Sequence, residues 1–193
     1  FSPDGGLRLM KGNIGRGVIK ISAVKDSQRV IEAPAIVFND QREVLAAFER
    51  GELERDFICV VRFQGPRANG MPELHKLTPP LAILLDRGFK VALVTDGRMS
   101  GASGKVPAAI HMSPEALLGG GIGKIRTGDL IRFDSFTGEL IALVDEKEWN
   151  EREIPEPDLS KNSHGIGREL FAGFRSITSS AEKGAMSFGG DFS

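Results

Sequence analysis

FICVVRFQGPRANGMPELHKLTPPLAILLDRGFKVALVTDGRMSGASG, residues 57–104, decides the fold. It holds two near-continuous apolar runs, FICVVRF (57–63) and FKVALVTD (89–96). A strand with one wet face alternates apolar and polar residues, whereas an unbroken run marks a strand covered on both faces. Each run opens into a Gly-rich loop, QGPRANGM (64–71) and GRMSGASG (97–104). Pro72 and Glu73 carry helix-start signals. Pro79 and Pro80 interrupt that helix, and LAILLDRG (81–88) restarts it, with Gly88 as its stop. The stretch therefore predicts two strand–loop–helix units.

The flanks are richer in strands. FSPDGGL (1–7) is turn-like, and GVIKISAVK (17–25) reads as a strand rich in β-branched residues. AIVFND (35–40) is a short apolar run ending at a helix start, where Asn39 or Asp40 can cap and Glu43 stands in capping-box register with Asp40. Val44, Leu45 and Phe48 follow at helical spacing, and Gly51 ends that helix. Ser113, Pro114 and Glu115 predict another helix, closed by Gly119 to Gly121. DLIRFDSFTGELIALV (129–144) reads as two strands around Phe136-Thr137-Gly138. EKEWNERE (146–153) is a short polar helix whose acids around Trp149 suggest a solvated face. EPDLSKNSHGIG (156–167) is a linker by composition, and RELFAGFRSI (168–177) a last amphipathic helix. Strands at both ends with strand–loop–helix units between them predict an α/β domain around a compact sheet or barrel, not a doubly wound fold. The expected division is a domain over 1–155 and a linker with a helical tail over 156–193.

Composition narrows the function classes. With 193 residues, 40% hydrophobic and a net charge of −1, the chain can bury a real core and does not read as disordered. Near-neutrality gives no electrostatic ground for a nucleic-acid or anionic-membrane partner. No run approaches the roughly 20 apolar residues of a membrane helix. One cysteine, Cys59, excludes a disulfide and a Cys-only metal site within this chain. Mid-strand, it reads as a small buried hydrophobe. The first residue is Phe1, which suggests a processed chain or a piece of something longer.

The two Gly-rich loops are where chemistry is expected, since each leaves the C-terminal end of a buried strand. In VTDGRMSGASGKVPAAIH (94–111), Asp96, Arg98, Ser100 and Ser103 supply a carboxylate, a cation and two hydroxyls. Gly97, Gly101 and Gly104 allow close backbone approach to an anion. A tight polar turn accounts for the same spacing. The Walker A pattern fails here, because Met99 stands at its first glycine and Val106 follows Lys105. The hydrolase elbow fails too, since Arg98 and Ala102 flank Ser100 at its glycine positions. In RFQGPRANGMPELHKLTPP (62–80), Glu73 is a candidate Mg²⁺ ligand, although a carboxylate in a first helical turn also merely complements the dipole. His111 reads as a near-core histidine and His164 as a solvated linker residue.

GMPELHKLTPPLAILLDRGFKVALVTDGRMSGASGKVPAAIH (70–111) resembles the C-terminal domain of the dihydroxy-acid and phosphogluconate dehydratase family. LRLMKGNIGRGVIK (7–20) resembles the segment where that domain begins, and GRELFAGFRSITSSAEKGA (167–185) is similar to the family's phosphogluconate branch. The resemblance spans essentially the whole chain. It implies a swivelling β/β/α barrel like a domain of aconitase, in a cytoplasmic, homodimeric hydro-lyase of the Entner–Doudoroff pathway. The implied reaction turns 6-phosphogluconate into 2-keto-3-deoxy-6-phosphogluconate, with an iron–sulfur cluster as Lewis acid on the leaving hydroxyl. Another aldonic or dihydroxy acid is the alternative substrate, and a catalytically silent fragment serving interdomain and dimer contacts is the alternative role.

By motif position the resemblance makes Ser100 the base that, as alkoxide, takes the C2 proton, and Glu73 a ligand to Mg²⁺ beside the substrate carboxylate. Asp96, Gly97, Arg98, Gly101 and Ser103 would frame the substrate more loosely. Both leading roles answer a chemical need. A C2 proton next to a carboxylate is weakly acidic, so a metal must take up developing enolate charge. A serine hydroxyl is a poor base unless nearby positive charge favours its alkoxide. Iron–sulfur clusters take several Cys thiolates, and Cys59 stands alone. The resemblance therefore implies that the cluster ligands and the other Mg²⁺ ligands lie in a larger N-terminal domain.

Overall fold

The computed structural model describes residues 5–100 and 104–188. Its strands are β1 (Leu7–Gly12), β2 (Gly15–Lys20), β3 (Val30–Phe38), β4 (Phe57–Val61), β5 (Val91–Thr95), β6 (Ala108–Ser113), β7 (Leu130–Asp134) and β8 (Glu139–Ala142). Its α-helices are α1 (Gln41–Glu49), α2 (Pro66–Asn69), α3 (Thr78–Asp86), α4 (Glu146–Glu151) and α5 (Ala172–Ile177). The strands close into a barrel in the order β1-β2-β6-β5-β4-β3-β7-β8. From β3 through β4 and β5 to β6 the pairing is parallel. The remaining ladders are antiparallel, apart from one parallel contact between β1 and β8. The fold is thus α/β, built on an eight-strand barrel.

Two cores share the parallel strands, and strand periodicity divides them. In β4, Ile58 and Val60 point into the barrel, where they meet Phe133, Ile31 and Leu140. Phe57, Cys59 and Val61 point outward beneath a helical layer with Val44, Leu81 and Leu84. β5 repeats the division, with Ala92 and Val94 inside and Val91 and Leu93 outside. This double coverage is why both strands read as unbroken apolar runs. β3 and β7 lack it over their antiparallel pairing and alternate, with Ile31, Ala33, Ile131 and Phe133 buried and Glu32 and Arg132 bonded on the wet face.

Local signals explain most helix ends and correct some expectations. Asp40 caps α1 by accepting from Arg42 N–H at 2.8 Å, and Glu43 reaches back to Asn39 N–H at 2.9 Å. No helix begins at Pro72. The short helix is α2, with Pro66 in its first turn and Gly70 ending it in the left-handed conformation (φ 71°). Pro79 and Pro80 do not interrupt a helix. They lie in the first turn of α3, where the absent N–H costs nothing. The segment after Pro114 is a 3-10 turn, Ala116–Leu118, and β2 stops at Lys20. In the tail, only Ala172–Ile177 of the expected 168–177 helix is α-helical.

Trp149 is the clearest departure. The acids around it are exposed, but the indole is buried against the barrel core. Arg152 holds the segment down, donating to Asp129 at 2.5 Å and Glu148 at 2.6 Å, with its guanidinium 5.8 Å from the Trp149 ring centre.

Cys59 is wholly buried, and burial pushes its thiol pKa up. Native protein is therefore expected to leave Cys59 unmodified by an aromatic disulfide reagent until denaturant is added. Cys59→Ser, which buries a hydroxyl among apolar side chains, should destabilise by about 1–3 kcal/mol in urea titrations. Rapid labelling of the folded chain would contradict this placement.

Candidate active site

The loops leaving β4 and β5 meet beyond the C-terminal ends of those strands. Glu73 and Arg98 form an isolated parallel β-bridge, and Leu74 N–H donates to the Arg98 carbonyl at 3.0 Å. Side chains reinforce it. Arg98 Nε donates to the Met71 carbonyl at 2.8 Å and Nη1 to Glu73 Oε2 at 3.3 Å. Ser100 N–H donates to Glu73 Oε1 at 2.7 Å. Glu73, Arg98 and Ser100 are thus assembled from two loops, all with side chains reached by solvent. Met99 between them is buried beneath, fixing the loop to the helical core. Gly97 is required by close approach. A Cβ there would lie 2.8 Å from Gln64 Cβ and 3.2 Å from Leu74 Cδ1. Gly101 and Ser103 lie outside the described residues.

Asp96 is fully buried and does not line this surface. It accepts from Gln64 N–H at 2.8 Å, Ala116 N–H at 2.9 Å and Phe63 N–H at 3.2 Å. Its carboxylate therefore ties the two loops and the 113–118 turn together, a positioning task rather than contact with substrate. Glu115 does the same for α2, accepting from Arg67 N–H at 3.0 Å and Ala68 N–H at 3.1 Å. Gly65 makes room for it, since a Cβ there would come within 2.2 Å of Glu115 Oε2.

Burial pushes the Asp96 pKa up to about 6, outweighing its three N–H donors, while Glu115 adds repulsion. The folded state then holds this proton more tightly than the unfolded chain, where Asp titrates near about 3.9. The stabilising contribution is complete below about pH 4 and is lost as pH rises through about 6. Asp96→Asn lacks this contribution. Its cost in urea unfolding is expected to be larger at pH 4.5 than at pH 7, by on the order of 2 kcal/mol. A cost that grows with pH would overturn this sign.

His111, on β6, is a site neighbour that its position after an apolar stretch did not reveal. Its N–H donates to the Gly97 carbonyl at 2.9 Å, and its backbone is left-handed (φ 59°). Burial first, then the Arg98 charge, lower its pKa, so it favours the neutral form. Only the β5–β6 pairing, which no local pattern encodes, could have located it. His75 is exposed in the turn after Glu73, and His164 stays on the tail surface near Glu169.

Comparison with known proteins follows the same boundaries. The family described as dihydroxy-acid/6-phosphogluconate dehydratase C-terminal matches residues 1–185. The chain belongs to this dehydratase family. The Pseudomonas aeruginosa phosphogluconate dehydratase is 64% identical over 188 residues, covering 97% of this chain and 31% of the relative. The Escherichia coli K12 phosphogluconate dehydratase is 60% identical over 185 residues, covering 96% and 31%. The dihydroxy-acid dehydratase of Ignicoccus hospitalis is 40% identical over 189 residues, covering 95% and 33%. The dehydratase-family chain therefore spans about a third of the length of the relatives it matches.

Among the described residues of this dehydratase domain, no group of three or more His, Cys, Asp or Glu side chains is arranged to hold a metal ion. Nor is any helix there long and apolar enough to cross a membrane. Glu73 fits as one ligand of a larger set, because Mg²⁺ sites commonly use one or two carboxylates with substrate oxygens and water. Both its oxygens are already used, by Arg98 and by the Ser100 N–H, which aims the carboxylate at the Ser100 loop. Cys59 does not fit a cluster. It faces the helical core and its thiol resists ionisation.

Proposed function

We propose that this chain is the C-terminal domain of a hydro-lyase that dehydrates 6-phosphogluconate to 2-keto-3-deoxy-6-phosphogluconate, the Entner–Doudoroff step. The observation that carries the reading is the Ser100 N–H to Glu73 Oε1 contact at 2.7 Å, which joins the two Gly-rich loops across 27 residues. Identities of 60–64% to phosphogluconate dehydratases, against 40% to a dihydroxy-acid dehydratase, favour the phosphorylated sugar acid as substrate.

In this reading Ser100 takes the C2 proton of the substrate through its hydroxyl oxygen. Arg98, held against Glu73 and Met71, supplies the positive charge that lowers the cost of the alkoxide. Glu73 is one ligand to Mg²⁺, and the bound ion would take up negative charge developing on the substrate carboxylate. Gly97 and the loop around it would let the backbone approach that carboxylate. The iron–sulfur cluster does not fit the residues of this chain, and its ligands belong to an N-terminal domain outside it.

The broader architecture follows the same proposal. Residues 1–155 act as the swivelling β/β/α domain, akin to the mobile barrel of aconitase, and 156–193 as linker and helical tail. Exposed Leu170, Phe171, Ile177 and Phe188 on that tail supply apolar surface for burial against the N-terminal domain or a second copy in a cytoplasmic homodimer. By itself the chain is expected to be inactive. The test compares turnover of 6-phosphogluconate and dihydroxyisovalerate by the full-length enzyme. A preference of at least about tenfold in kcat/KM for 6-phosphogluconate supports the reading, and the reverse preference overturns it.

A further inference from the structure

A cavity of about 360 Å³ lies between α2 and the tail, within the usual range for small-molecule sites. Among the described residues, its wall contains two arginines, Arg168 and Arg175, and the hydroxyl side chains of Thr178 and Ser187, but no carboxylate. Arg168 is held in place from behind. Its Nη2 donates to Asn69 Oδ1 at 2.6 Å and to the Asn69 carbonyl at 3.1 Å, and its Nε to the Asn162 carbonyl. Arg175 lays its aliphatic stem over Gly70, where a Cβ would come within 3.4 Å of its Cδ. Thr178 and Ser187 are hydrogen-bonded to each other at 3.0 Å. Two guanidinium groups lining one hollow, with no carboxylate beside them among the described residues, repel each other, and that repulsion is relieved when a dianion sits between them. In accord with this, burial and then the Arg175 charge lower the Arg168 pKa.

The cavity adjoins the candidate active site. Met71 is part of its wall, and the Met71 carbonyl is the acceptor for Arg98 Nε. Met71 and Glu73 are two residues apart, so their backbones are separated by at most about 7 Å. We propose that Arg168 and Arg175 form the subsite for the distal phosphate monoester of the substrate, whose carboxylate end lies at Glu73 and Ser100. This rests on the reading of the substrate as a phosphorylated sugar acid. Arg175 supplies the direct grip. Arg168 supplies a guanidinium already oriented by Asn69.

The test uses the full-length enzyme and two probes, 6-phosphogluconate as substrate and inorganic phosphate as inhibitor. Wild-type enzyme should be inhibited by phosphate competitively with 6-phosphogluconate. Arg175→Met keeps the stem over Gly70 and removes the charge. It should raise KM for 6-phosphogluconate about 10- to 100-fold, with kcat little changed, and weaken phosphate inhibition by a similar factor. Arg175→Lys should recover part of both effects, and the ratio of kcat/KM for 6-phosphogluconate over gluconate should fall in Arg175→Met. Unchanged KM and phosphate inhibition in Arg175→Met would overturn the subsite. So would a loss confined to thermal stability, which would make the arginines a docking point for a carboxylate elsewhere in the full chain. A wild-type enzyme that does not dehydrate 6-phosphogluconate would overturn the functional reading itself, a result distinguishable from either.

Discussion

Ser100→Ala in the full-length enzyme is expected to lower kcat for 6-phosphogluconate by about 10²–10⁴, the usual contribution of a positioned general base. The expectation rests on placement. The Ser100 N–H is bonded to Glu73 Oε1, Met99 beside it is anchored in the helical core, and the charge of Arg98 lies two residues away. The substitution removes one oxygen from an exposed side chain and leaves that backbone bond intact, so the fold should be spared. Thermal unfolding and the visible absorption spectrum of the purified enzyme should match wild type. Near-normal turnover with both preserved would remove Ser100 from the chemistry.

The second large effect is expected at Glu73. Glu73→Gln preserves shape and one acceptor oxygen but removes the charge that pairs with Arg98 and would bind Mg²⁺. A metal ion contributes several kcal/mol to stabilising developing charge, so kcat should fall about 100-fold or more. A merely structural role predicts something else. The Glu73–Arg98 pair is half-exposed, and exposed pairs contribute about 0–1 kcal/mol to stability. Mg²⁺ titration of activity separates the two. The half-saturating Mg²⁺ concentration should rise at least about tenfold in Glu73→Gln. An unchanged Mg²⁺ requirement would leave Glu73 as a loop brace only.

The sequence made β4 and β5 plain, because barrel and helices cover them on opposite faces and force every residue to be apolar. Strands whose partners are distant in sequence were less legible. β6 joins β5 to β2, so nothing local announces it, whereas β1 forms a local hairpin with β2 across Asn13-Ile14, a turn without the usual Asn-Gly signal. Glu73 shows the same limit at the site. Pro72 and Glu73 itself carry helix-start signals, yet the Glu73 backbone pairs with Arg98 on another loop, and that long-range bridge wins over local propensity. Asp96 was legible as a loop carboxylate but not as a buried one, since its three N–H donors come from two separate segments. Ser100 and Glu73 were singled out through motif resemblance, and the structure brings them to one place. That Arg168 and Arg175 line one cavity depends on how the tail folds back over α2, which their spacing does not reveal.

A double-mutant cycle in the full-length enzyme tests most directly whether the two loops make one catalytic site. kcat for 6-phosphogluconate would be measured for wild type, Ser100→Ala, Glu73→Gln and the double variant. Residues that act as a unit in one step give strongly non-additive losses. The double variant is therefore predicted to lose about as much as the more damaged single variant. Losses that simply multiply, or a single variant that stays near wild-type turnover, would contradict the shared site.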